Sequence, residues 1–163
     1  MVSKRQVREP GHRRKFLAVV DQTPECSKAI HYAARRVAGI DADLVLVYVM
    51  EPGDFQHWLG VEEVMRAEAR QEGEQALAKA SQLAVEFGGV TPETVLREGK
   101  TPQEIEGVIE DDPDIALLVL AAGDSKDGPG PLVSAVAGSN TGFPIPVTVV
   151  PATLTDEEID DLV

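Results

Sequence analysis

Residues 14–50 read RKFLAVVDQTPECSKAIHYAARRVAGIDADLVLVYVM, and the changes of pattern inside this stretch decide the fold. Phe16 to Val20 is an unbroken apolar run that stops at Asp21, the mark of a strand buried on both faces. Thr23-Pro24 follows, an N-cap and then a first helical position where proline's missing N–H costs nothing. Cys26, Ala29, Ile30, Ala33, Ala34 and Val37 recur at the spacing of one helix face, and Gly39 is expected to stop that helix. Leu44 to Met50 is a second buried strand, closed by Pro52-Gly53. Strand, helix and strand in this order imply parallel pairing with a right-handed crossover.

Outward from this unit the alternation continues. A connector with Phe55 and Trp58, expected to pack locally or touch a partner, leads to a long helix. That helix should turn Met65, Ala69, Ala76, Ala80, Leu83 and Phe87 inward, and Gly88-Gly89 ends it. Thr94 to Glu98 is a shorter, more polar strand, as suits a sheet edge. Thr101-Pro102-Gln103-Glu104 has the spacing of a capping box opening a third helix, with Ile105, Val108 and Ile109 inside. Ile115 to Ala121 is a fourth strand, and Pro144 to Pro151 holds a fifth. The expected fold is α/β, a doubly wound open five-strand parallel sheet of order 3-2-1-4-5, Rossmann-like. The chain divides into a flexible basic leader at 1–13, the domain at 14–151, and an acidic C-terminal tail helix at 152–163.

The net charge of -13 is unevenly placed. The first 15 residues hold six of the 15 basic residues against one acid, Glu9, so the remainder carries -18. A body that acidic repels phosphate backbones, which argues against a nucleic-acid partner. No apolar run approaches the roughly 18 residues of a membrane span. A lone cysteine, Cys26, excludes an internal disulfide and suits a reducing, cytoplasmic setting. On the inner face of its helix, Cys26 reads as packing.

In sheets of this kind ligands bind beyond the carboxyl ends of the strands, where the strand order reverses. Asp21, Val49 and the loop Gly123-Asp124-Ser125-Lys126-Asp127-Gly128-Pro129-Gly130 occupy that end. Here the sequence resembles the universal stress protein family. Members that bind ATP carry G-x-x-G, nine residues, then G-[ST] after the fourth strand, and Gly128, nine residues and Gly138-Ser139 match the second part. An aspartate ending strand one and a valine ending strand two, like Asp21 and Val49, line the family's adenosine pocket. The resemblance spans about residues 14 to 151. It implies a small regulatory domain of the stress response that acts through protein partners, or through ATP or AMP held at Asp21, Val49, Gly123, Gly128, Gly130, Gly138 and Ser139.

Two features depart from that pattern. Ser125 stands where the first glycine belongs, with Gly123 two residues too early. Only six residues separate Ser139 from Pro146, too few for a further helix. In a rival register Pro131 to Ala137 is itself the last helix and Gly138 its C-terminal glycine. Asp124 and Asp127 set negative charge near any phosphate, with Lys126 the one cation on the loop. Asp21 reads equally as a ligand contact and as a cap for the following turn.

No catalytic residue is assigned. Slow ATP hydrolysis at the same loop is the enzymatic alternative, and a dimeric module without ligand is another; no Walker loop and no G-x-S-x-G elbow is present. His12, His31 and His57 are scattered over three segments, so no metal site is expected. Val147-Thr148-Val149-Val150 would form an exposed apolar edge, and pairing it with a second copy gives a homodimer.

Overall fold

The computed structural model describes residues 4–52, 61–137 and 143–163. Phe55, His57, Trp58, Gly138 and Ser139 lie outside the described residues. The elements follow in the order β1 (Lys15–Val19), α1 (Cys26–Ile40), β2 (Asp43–Met50), α2 (Val61–Gly88), β3 (Glu93–Glu98), α3 (Thr101–Asp111), β4 (Ile115–Ala122), α4 (Pro131–Ala137), β5 (Val147–Pro151) and α5 (Asp156–Leu162). The five strands form one sheet of order β3-β2-β1-β4-β5, parallel throughout. The winding reverses between β1 and β4, so the carboxyl ends of those two strands frame a crevice.

Successive residues of the central strands bury on opposite faces, which is why their sequence reads as unbroken apolar runs. Phe16, Ala18, Leu44 and Leu46 pack beneath α1, α2 and α5. Leu17, Val19, Val45 and Val47 pack with Ile105, Val108 and Ile109 of α3 and with the apolar side of α4. The polar third strand is an edge, as its composition requires.

Several boundaries differ from the local reading. Helix α1 runs past Gly39 to Ile40, and Asp41 takes the left-handed conformation (φ 55°) that ends it. Helix α3 begins at Thr101 itself, so Thr101 caps nothing. Glu51, at the end of β2, supplies the cap: its carboxylate accepts the Thr101 N–H at 3.1 Å and the hydroxyl at 2.6 Å. In α2 the buried face is Gly73, Leu77, Ala80 and Ala84, one step round from the expected stripe. Gly73 sets that rotation, because a Cβ there would lie 2.8 Å from Leu96 and 2.9 Å from Tyr48.

Residues 4–13 were expected as a flexible leader, yet they carry defined contacts. The last carbonyls of a helix have no partner within it. Arg5 supplies one at the end of α3, donating to the carbonyls of Ile109 (2.7 Å), Asp112 (3.2 Å) and Ile115 (3.2 Å). The Gln6 N–H donates to Pro113 at 3.0 Å, and His12 Nδ1 lies 2.7 Å from Asp114.

The acidic tail forms α5, opened by Thr155, whose hydroxyl accepts the Glu158 N–H at 3.1 Å. It lies against α1 with Ile159 fully buried. His31, the one buried polar side chain among the described residues, stacks on Phe87 and meets Asp160 at 2.8 Å and Asp156 at 3.3 Å.

Candidate functional site

Asp21 stands just past β1, exposed, where the chain turns into α1. Its Oδ1 accepts both the N–H (2.9 Å) and the hydroxyl of Thr23, so the capping role expected for it is filled. Asp21 also lies on the rim shared by two hollows.

The larger hollow, about 500 Å³, opens between α1 and α2. Its floor is apolar, from Val20, Ile30, Ala76 and Leu83, and Asp21, Glu72 and Lys79 stand among its polar lining. Ala76 and Ala80 leave the room that longer side chains would fill. Burial first, then the charges of Glu72 and Asp21, push the nearby Tyr48 phenol up.

The smaller hollow, about 70 Å³, sits at the crevice between β1 and β4 and is lined by Asp21, Glu25, Pro129, Gly130 and Pro131. A drug-sized ligand needs about 300 Å³ or more, so the crevice alone holds none. Its walls show why. The Gly123 N–H donates to Pro129 O at 3.0 Å and the Gly128 N–H to Ser125 O at 3.1 Å, closing the loop on itself. Gly128 (φ 91°) and Gly130 (φ 108°) provide the left-handed turns that this closure needs. Two amides that could face an anion are thus spent inside the loop.

Cys26 lies beneath both hollows, with its thiol 3.8 Å from Val19 O and accepting the Asp21 N–H at 3.5 Å. Burial pushes this thiol up to about 11, which leaves it un-ionised and inert at neutral pH.

The structure therefore brings Asp21 and Gly130 to one crevice, with Gly123 and Gly128 in the loop behind it. Val49 packs with the cluster on the α3 side and lines neither hollow. Helix α4 occupies Pro131–Ala137, the span that the rival register gave to the last helix. Among the described residues no three His, Cys, Asp or Glu side chains converge as a metal site. Sequence reading missed Glu25, whose place beside Gly123 comes from two separate loops, and Lys79 and Glu72, which lie on α2 outside the apolar stripe.

An open parallel sheet that reverses its winding at β1 and β4, with its hollows at that reversal, places the chain among Rossmann-like α/β domains. The model of the universal stress protein family matches residues 12–151, and the chain belongs to that family. Solved structures agree in fold. The universal stress protein UspA from Lactobacillus plantarum is 21% identical with a TM-score of 0.68, over 85% of this chain and 98% of that one. The Archaeoglobus fulgidus protein in complex with dAMP is 16% identical at TM-score 0.60, over 84% and 97%. An Arabidopsis thaliana family member with AMP bound is 15% identical at TM-score 0.60, over 85% and 91%. No curated protein matches the chain in sequence.

Proposed function

We propose that this universal stress protein is a cytoplasmic regulatory domain that reads an adenine nucleotide or its nucleoside at the Asp21 end of the sheet. The observation that carries the reading is the position of Asp21, on the winding reversal and on the rim of a hollow of about 500 Å³. That volume lies within the roughly 300–1,000 Å³ of small-molecule sites, and an apolar floor with a few polar groups is their usual make-up. Two relatives of this fold carry dAMP and AMP. Because the glycine loop spends its amides on itself, ATP binding is weak, with a dissociation constant at or above about 1 mM, roughly 4 kcal/mol. Titration of AMP and ATP into the full chain, followed by amide chemical shifts, tests this. The reading predicts shifts around Asp21 that saturate slowly for ATP; micromolar ATP binding would contradict the weak loop.

The proposal includes a homodimer joined through β5. Val149 is exposed on this strand, and α5 packs on α1. Pro146 and Pro151 donate no ladder hydrogen bond, which limits pairing to the residues between them. Sedimentation at micromolar concentration should give twice 17.5 kDa, and Val149→Lys should halve it. A monomer mass in the unsubstituted chain would sink the dimer.

A further inference from the structure

Glu25 has the N-cap position of α1 and makes no side-chain cap there. A carboxylate at that position ordinarily turns back to the first helical N–H groups. This one crosses to the loop after β4 instead. Its Oε1 lies 2.9 Å from where a Cβ on Gly123 would sit, so the carboxylate lies against the loop at Gly123. Glu25 lines the crevice together with Asp21, Gly130 and Pro131. A phosphate extending from a nucleoside at Asp21 into this crevice would share it with the Glu25 carboxylate. Asp124 and Asp127 stand exposed on the same loop, whose only cation is Lys126. The amides of Gly123 and Gly128, which could have offset the repulsion, are already hydrogen-bonded to Pro129 and Ser125.

We infer that Glu25 is a specificity residue that turns the Asp21 site toward unphosphorylated adenosine, with discrimination rising as phosphates are added. The inference rests on the ligand reading above and narrows it. Like charges a few ångströms apart at a partly exposed site repel by an amount that corresponds to about a tenfold or greater loss of affinity. Adenosine therefore binds at least about tenfold more tightly than ATP, with AMP between them.

The test is an amide chemical-shift titration of the full chain and of Glu25→Gln with adenosine, AMP and ATP. Glutamine keeps the shape of this half-buried side chain and removes its charge. The expected result is that Glu25→Gln strengthens ATP binding by about threefold to tenfold and moves adenosine by less than about twofold. ATP binding more tightly than adenosine in the unsubstituted chain would overturn the selection. So would a Glu25→Gln change that shifts all three ligands alike. Either result would leave the ligand reading standing, whereas no response to any of the three ligands would remove both.

Discussion

Where the strands begin, Arg13 holds Asp41 and Asp43 at 3.0 Å each, and Lys15 holds Asp112 at 2.8 Å and Glu93 at 3.1 Å. Where β1 and β4 leave the sheet, Asp21, Glu25, Asp124 and Asp127 make no ion pair among the described residues. The same residue types have opposite consequences at the two ends. Burial alone would lower the Lys15 ammonium, and its hydrogen bonds to Asp112 and Glu93 outweigh that and raise it. Positive charge near the N-terminus is thus partly absorbed by the body's own carboxylates. At the far end these carboxylates outnumber Lys79 and Lys126 and are not tied into ion pairs. One end ties its charges into ion pairs, and the other is where the proposed ligand would meet them.

Packing where the strands begin gives the largest expected effect. Gly88 closes α2 against α1, and a Cβ there would lie 2.5 Å from the carbonyl oxygen of Ala34. Since that neighbour is backbone, Gly88→Ala should cost about 2–3 kcal/mol in urea unfolding. A loss under about 0.5 kcal/mol would show that the two helices part easily and would weaken the contrast. Arg5→Ala comes next. It removes the side-chain donor that reaches the carbonyls of Ile109, Asp112 and Ile115, and about 1–2 kcal/mol is expected by the same measurement.

Glu51 sharpens the comparison, because it is an acid at the far end with a structural task. The side-chain hydroxyl and then the N–H of Thr101 hold its carboxylate below its ordinary 4.5. A depressed carboxylate adds stability above its unfolded pKa, and that addition is lost as pH falls through the folded value. Its contribution should therefore be full at neutral pH and fade below about pH 4.5. Glu51→Gln should lower stability at pH 7 by about 0.5 kcal/mol, the capping value discounted for exposure. Its deficit should shrink in acid, and a deficit that stays constant from pH 7 to pH 3 would contradict the linkage. The smallest stability effect belongs to Asp124→Asn with Asp127→Asn, within about 0.5 kcal/mol in either direction. The pair should instead tighten AMP binding, read by titration.

Most of the architecture was legible because burial on both faces leaves continuous apolar runs. Phe16 to Val20, Leu44 to Met50 and Ile115 to Ala121 gave the central strands, and the polarity of Thr94 to Glu98 gave an edge. What escaped was set across the chain. Thr101 looked like a cap because its neighbours fit a local rule, but the cap comes from Glu51, fifty residues earlier. The α2 face was misjudged because glycine carries no hydrophobic signal, although Gly73 lies close against Leu96 and Tyr48 of the sheet. Arg5 looked like part of a charged leader because nothing in residues 1–13 points to the carbonyls of α3. Of the site, Asp21 and the glycine loop were visible as positions at strand ends. Glu25 against Gly123 was not, since the contact joins loops almost a hundred residues apart.

The central claim, that ligand is held where β1 and β4 leave the sheet and on the α1–α2 side of Asp21, is tested most directly by a crystal structure with adenosine. The account predicts the nucleoside in the larger hollow, its base over Ala76 and Leu83 and a ribose hydroxyl donating to Asp21, with the Glu25 carboxylate still resting on Gly123. Density for the nucleoside beside Val49, or at the end of the sheet where the strands begin, would contradict it.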